Sequence, residues 1–399
     1  MNAPAATTRA HCAVCGASDL RPILTIDRFP VFQGCVIDPP TEDEHAPMAW
    51  VECLGCRSAQ IATLPPLERI YREGHATGLG AAWARHHAAF AAFLARHATG
   101  AILDIGGGSA LATAYKRLGG DATWTILEPH PLLTHDVPAD VALVEGLLKR
   151  AALARTGAST VVMCHMLEHV VDLRTALTDV TAALPENGRL VIAWPVLERW
   201  VEKGLASALN FEHSTYVPLP ALRALFARAG WRLRAEELRA ANDTLFLAFE
   251  RGAAVPQPLA DIPPAPGPLI ADYFTRFRVQ ALNTMRAMAR HKGDLFLMPA
   301  SVHVQALMAA GLTETRLSGI LDNAPAKHGK RLYGTTLSVF APAERLAAAR
   351  NPLVIVNGGA NTPDMIEGLR RIRVDVAVHD LRSAQQDARA HPPALKVLG

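Results

Sequence analysis

From Ala101 to Arg251 short apolar runs alternate with helix-like stretches, and this alternation restricts the fold more than any other feature of the chain. AILDIGG is an apolar run that breaks at glycines, and SALATAYKRLGG follows as a helix with a glycine stop. WTILEP, VALVEG and TVVMCHMLEH are further strands; DLRTALTDVTAALPENG is a helix closed by a Pro/Asn/Gly turn. RLVIAWPV is the fifth strand, and after an irregular stretch LPALRALFARAG is a helix. Such alternation predicts a mostly parallel, doubly wound α/β sheet. The last two runs, WRLRAEELR and DTLFLAFER, leave no room for a crossover helix and must pair antiparallel.

The rest of the chain divides around this block. Residues 1–65 hold five of the six cysteines, four of them in two C-x-x-C pairs, with many prolines and short β-like runs, too little for a self-sufficient core. Residues 66–98 (LERIYREG, then AAWARHHAAFAAFLARH) read as a helical connector, 99–251 as the α/β block and 252–268 as a proline-rich linker. Residues 269–399 open with a helix over Ala271–His291 and continue as a second, Rossmann-like βα series. With 399 residues, several domains are expected. A net charge of +3 gives no case for nucleic acid or an anionic membrane as partner. The N-terminus lacks an apolar signal region, and no apolar run reaches the roughly 18–20 residues of a membrane span, so a soluble cytoplasmic protein is expected. Nothing in the sequence fixes an oligomeric state.

Cys12, Cys15, Cys53 and Cys56 form two C-x-x-C pairs. Two sulfurs on each of two facing turns give a tetrahedral site, which suits a structural Zn²⁺. Redox pairs or four free core thiols are the alternatives; Cys35 and Cys164 read as core residues.

The segment Asp104-Ile105-Gly106-Gly107-Gly108-Ser109 joins the first strand to a helix at the carboxyl edge, where open α/β sheets bind ligands. Gly106, Gly107 and Gly108 allow a ligand close to the backbone. Glu128 ends the second strand and is placed to accept from both hydroxyls of a ribose. NAD proteins share the loop and the acid, but here Leu111 stands where their third glycine falls. The closing antiparallel pair is the pattern of class I methyltransferases and favours S-adenosylmethionine. Asp104 either orients the loop or meets the cofactor's amino group.

His165-Met166-Leu167-Glu168-His169 follows the fourth strand into the same cleft, with His165 on the cofactor side and His169 a candidate proton carrier. In Asn210-Phe211-Glu212-His213-Ser214-Thr215-Tyr216, Glu212 could raise the basicity of an imidazole and Tyr216 could donate to an oxyanion. The plain alternatives are a packing histidine and an ordinary polar loop.

Together these motifs resemble the sugar C-methyltransferases, enzymes that methylate a carbon of nucleotide-linked deoxysugars. The likeness spans nearly the whole chain and includes Ile320-Leu321-Asp322-Asn323-Ala324-Pro325-Ala326-Lys327-His328-Gly329, which is similar to the family's D-x-N-P-x-K-x-G motif. The resemblance implies a keto sugar nucleotide as substrate, bound with help from the third domain. It also implies His213 as the base that removes a proton beside the ketone, and attack of the enolate carbon on the sulfonium methyl group. The departures lie on the substrate side. Asn210 and Phe211 stand where the family has tyrosine and histidine. Tyr71-Arg72-Glu73-Gly74-His75-Ala76-Thr77 replaces a Tyr/Ser-rich stretch, Pro299-Ala300-Ser301-Val302-His303 lacks the usual lysine, and Val356-Asn357-Gly358-Gly359 lacks the usual tryptophan. An N- or O-methyltransferase for another small molecule, a non-catalytic methyltransferase-like binding module and, last, an NAD enzyme remain as alternatives.

Overall fold

A computed structural model describes residues 6–72, 81–129, 137–148, 153, 156–252 and 263–382. The front segment is an antiparallel sheet of β1 (Leu20–Pro30), β2 (His45–Cys53) and β3 (Ala59–Ile61). In β2 the alternation puts Met48 and Trp50 inside. The connector is not continuously helical. A single turn, Leu67–Ile70, ends at Tyr71, whose φ of −107° and ψ of 41° leave the helical region. The helix proper, α1, is Ala81–His97. The intervening 73–80 lie outside the described residues.

The α/β block follows the expected alternation. It runs β4 (Ile102–Ile105), α2 (Ser109–Arg117), β5 (Trp124–Glu128), β6 (Val141–Glu145), β7 (Thr160–Cys164), α3 (Leu173–Ala183) and β8 (Arg189–Pro195). The stretch read as irregular holds a short helix, α4 (Leu197–Lys203), stopped by Gly204 in the left-handed conformation (φ 69°). Seven residues are too few to show a helical period. The same stretch ends in β9 (Thr215–Tyr216), followed by α5 (Leu219–Arg228), β10 (Trp231–Arg239) and β11 (Thr244–Arg251). The sheet order is β10-β11-β8-β7-β4-β5-β6. β11 lies between β8 and β10, antiparallel to both. The fold is therefore α/β with a mixed, doubly wound central sheet, of the class I methyltransferase type.

β9 belongs to another sheet. Thr215 pairs with Gln60 and Tyr216 with Ala59, so this piece of the α/β block becomes a fourth strand of the front sheet.

The next helix, α6 (Pro266–Arg290), begins inside the segment read as linker. Proline is tolerated in a first turn, where its missing N–H has no helical partner to lose. α6 ties the parts together. Gly267 N–H donates to Glu52 Oε2 (3.1 Å), Tyr273 OH to Leu205 O (2.9 Å), and Arg276 to Glu202 O and Val201 O (2.6 Å each). The third segment is a parallel sheet of β12 (Leu295–Met298), β13 (Leu317–Leu321), β14 (Val339–Phe340), β15 (Leu353–Val356) and β16 (Ala377–Asp380), in the order β14-β13-β12-β15-β16. It meets the front segment where Cys35–Val36 pairs with Arg331–Leu332. There the buried Arg331 grips Asp43 with two bonds of 2.6 and 2.7 Å. Buried apolar residues of all three segments, among them Trp50, Trp194, Tyr273 and Leu297, form one contiguous cluster. No helix among the described residues is long and apolar enough to cross a membrane.

Candidate functional site

The first βα turn is shaped by its glycines. Gly106 has φ 67° and donates its N–H to Leu127 O (2.9 Å), which sharpens the turn out of β4. A Cβ on Gly107 would lie 2.2 Å from the Asp104 carboxylate, so only glycine fits. Gly108 is the extended residue that opens α2. Beneath this loop Asp104 is fully buried, and neither of its carboxylate oxygens accepts a hydrogen bond. Burial first and the nearby charge of Glu128 second push its acid up to about 8, against the lowering effect of the Trp124 indole. Glu128 stands half-buried at the end of β5, beside β4 in the sheet. Backbone at a helix N-terminus, a buried acid beneath it and a second acid one strand away are a donor and acceptor set that fits an adenosyl amino acid.

At the end of β7 His165 takes the left-handed conformation (φ 52°). This is a strained position for a β-carbon and is held by partners. Its Nδ1 meets Glu168 Oε1 at 3.1 Å and its Nε2 meets Thr244 Oγ1 at 3.2 Å. The ring stacks on Trp200 (6.0 Å, 15°) and meets Trp83 edge-on (5.4 Å) and His86 (4.9 Å). Both nitrogens are thus engaged by the protein. His86 is held neutral, lowered to about 3 chiefly by burial.

That next group centres on two imidazoles. A turn of 3-10 helix, Leu167–His169, carries His169, whose Nε2 lies 3.2 Å from His213 Nε2 with the rings at 82°. His169 Nδ1 meets the Tyr71 hydroxyl at 3.2 Å. His213 is 8% exposed, buried rather than on a surface loop. Its turn is built by Asn210, whose Oδ1 accepts the N–H groups of Glu212 and His213, both at 2.9 Å. Phe211 packs edge-on against Phe29 (5.9 Å). Arg9 braces the far side, donating to Ser214 O (2.9 Å), Ser214 Oγ (2.8 Å) and Val171 O (2.8 Å).

The expected residues do not all converge. Glu212 is buried beside the pair, where its backbone carbonyl accepts from Tyr71 OH (3.4 Å). Tyr216 is not drawn into the group. As part of β9 it packs into the core, and burial with the charges of Glu198 and Glu202 raises its phenol. The alternation of a strand turns it away from the loop that carries His213. The phenol that reaches the imidazoles is Tyr71, from the connector. Its acidity is suppressed by burial and then by Glu212 and Glu168, so it stays protonated. For Tyr71 the only signal in sequence is its place at the resembled family's Tyr/Ser-rich stretch, and for Arg9 there is no local signal, because both act across long chain separations.

The four cysteines converge separately. Cys12 Sγ lies 3.6 Å from Cys56 Sγ, and Cys15 Sγ 3.5 Å from Cys53 Sγ, with all four sulfurs within 4.8 Å of one another. Zn–S bonds of about 2.3 Å would set tetrahedral sulfurs roughly 3.8 Å apart, so the cluster could hold zinc with little adjustment. Hydrogen bonds from Cys15 and Cys56 hold the Cys12 thiol far below its ordinary range, and the same contacts push Cys15 up to about 11 and raise Cys56.

The fold is α/β, and its central block has known relatives. Residues 79–236 match the family model of a methyltransferase domain. No curated protein matches the sequence. Among solved structures, the chain is similar to an O-methyltransferase family protein from Burkholderia thailandensis (17% identity, 42% of this chain and 56% of that one, TM-score 0.35). It is also similar to human N-acetylserotonin methyltransferase in complex with SAM (16%, 42% and 51%, TM-score 0.35). A third is a possible histamine N-methyltransferase from Thermotoga maritima (14%, 42% and 88%, TM-score 0.33). The chain spans about half the length of the first two. At these scores no property of those proteins is carried over to this one.

Proposed function

We propose that this chain transfers the methyl group of S-adenosylmethionine to a small molecule, and that the acceptor is a keto deoxysugar on a nucleotide, methylated at carbon. The supporting observation is a pair of imidazoles, His213 buried and His169 half-buried, with their Nε2 atoms 3.2 Å apart. When bound, S-adenosylmethionine supplies a methyl group already activated by cationic sulfur. The chain's own residues then have three tasks. Gly106, Gly107 and Gly108 admit the amino-acid end to the backbone, Asp104 lies beneath it, and Glu128 accepts from the ribose hydroxyls. His213 takes the proton from the carbon beside the ketone, because that carbon is no nucleophile until deprotonated. His169, oriented by Tyr71, shares the proton across the Nε2 contact. Zinc on Cys12, Cys15, Cys53 and Cys56 is structural in this reading and takes no part in transfer.

A second reading is favoured by Asn210 and Phe211. Both are committed to turn and core, so the positions where the resembled family carries a tyrosine and a histidine do not face an acceptor here. A hydroxyl or amine acceptor would suit that change. Incubation with keto sugar nucleotides in D₂O tests the first reading. Deuterium at the carbon beside the ketone, lost in His213→Ala, and a carbon-bound methyl product are expected. An oxygen- or nitrogen-bound methyl group would establish the second. Calorimetry showing no S-adenosylmethionine binding would reduce the chain to a binding module.

A further inference from the structure

Glu168, His169 and His213 bring three ligand atoms within 4.8 Å of one another, well separated in sequence from the cysteine cluster. We propose that these three side chains bind one divalent transition cation, and that its occupancy blocks His213 as a base. The second half rests on the reading of His213 given above; the first does not.

Three features point to a cation. The Nε2 atoms of His169 and His213 face each other at 3.2 Å. Metal–nitrogen bonds of about 2.0–2.1 Å place two tetrahedral ligand nitrogens roughly 3.3 Å apart, so both rings already stand at ligand spacing. Glu168 is 1% exposed, and its Oε2 accepts from no protein group. A buried carboxylate oxygen left in that state is costly, and a cation would satisfy it. Two of the three ligands, His169 and Glu168, are also held from behind, as metal ligands commonly are. Tyr71 OH sits on His169 Nδ1 (3.2 Å), which fixes the ring with Nε2 pointing at His213. His165 Nδ1 sits on Glu168 Oε1 (3.1 Å), which leaves Oε2 free to turn inward. Two imidazoles and one carboxylate suit zinc, cobalt, nickel or copper rather than magnesium or calcium, and three protein ligands leave a coordination position open.

The nitrogen that would receive the acceptor's proton is the nitrogen that would bind the cation. Proton and cation compete for one lone pair, so a loaded site has no base at His213.

The probe is Co²⁺, added to the full-length protein purified with its cysteine cluster zinc-loaded. Binding at nitrogen and oxygen ligands gives visible d–d bands without the near-ultraviolet charge transfer that thiolates produce. Saturation at one equivalent is expected, with at least tenfold weaker binding in Glu168→Gln and in His169→Ala. Tyr71→Phe should weaken it by roughly 10–100-fold, as loss of an outer partner does. Thermal melts of each variant check folding. Where a variant does not fold, Cu²⁺ on the wild-type protein replaces it, and pulsed EPR should show coupling to two imidazole nitrogens. Titrations insensitive to all three substitutions, thiolate charge transfer alone, or fewer than two imidazole couplings would overturn the site. In turnover assays Co²⁺ should inhibit, and brief EDTA treatment should restore activity. Binding without inhibition would overturn the blocking role, and with it His213 Nε2 as the base, but not the site. Absence of binding, with turnover still lost in His213→Ala, would overturn the site and leave the base.

Discussion

On the proposed function, the cofactor half and the acceptor half of the site are built in opposite ways. The cofactor half is one continuous piece, from β4 through the glycine loop to the end of β5, and its geometry comes from local turn chemistry and one buried acid. The acceptor half is assembled from Tyr71, the turn after β7 and the Asn210–His213 turn, with Arg9 bracing it from the front segment. The first needs only its own βα unit to be correct. The second is right only if β9 adds to the front sheet and the connector reaches the cleft. Binding of the methyl donor and processing of the acceptor should therefore be separable by mutation.

The largest effect is expected at His213. His213→Ala should lower turnover by about 10²–10⁴-fold, the usual worth of a positioned base, with cofactor affinity from calorimetry nearly unchanged. Full turnover in that variant would end the division of labour. Next comes Arg9, a buried guanidinium lowered to about 10 chiefly by its burial. Arg9→Ala strips the donors from Ser214 and Val171 and should cost about 1–3 kcal/mol in urea unfolding. Turnover should fall with it while donor affinity holds; a parallel loss of affinity would show the halves coupled.

Asp104 sharpens the contrast from the other side. Its acid is raised to about 8 in the fold, against an ordinary value of 3.8. Between those values the folded chain holds a proton that the unfolded chain has released, so stability falls as pH rises through the window. Donor-free protein should lose up to about 1.4 kcal/mol per pH unit from this group, and Asp104→Asn should flatten the dependence of the urea midpoint on pH. The smallest effect belongs to Glu128. Glu128→Ala should weaken S-adenosylmethionine binding roughly tenfold, about 1.4 kcal/mol, and leave turnover at saturating donor close to normal.

Legibility followed the same division. Asp104, the three glycines and Glu128 could be placed at the first βα turn and the second strand's end because glycine needs, strand ends and a helix start are short-range properties. The cysteine quartet was legible because two C-x-x-C turns announce themselves by spacing, although their convergence belongs to the fold. In the acceptor half the pattern named His169 and His213 but gave no reason for them to meet. It favoured Tyr216, which the front sheet removes into the core, and it placed Tyr71 only within a substrate-side stretch, with no means of pairing it with His169. The departure at Asn210 reads in sequence as a lost phenol; in the fold it is the residue that shapes the His213 turn.

By itself, then, the chain's order of residues determined the α/β block, its closing antiparallel pair, the ligand loop and the four thiols, because each rests on periodicity or on contacts a few residues apart. Only the tertiary structure decided which histidines face each other, which tyrosine serves them and that a strand of the α/β block completes the front sheet. Those contacts join positions far apart along the chain, and the burial that fixes them exists only once all three segments share one core.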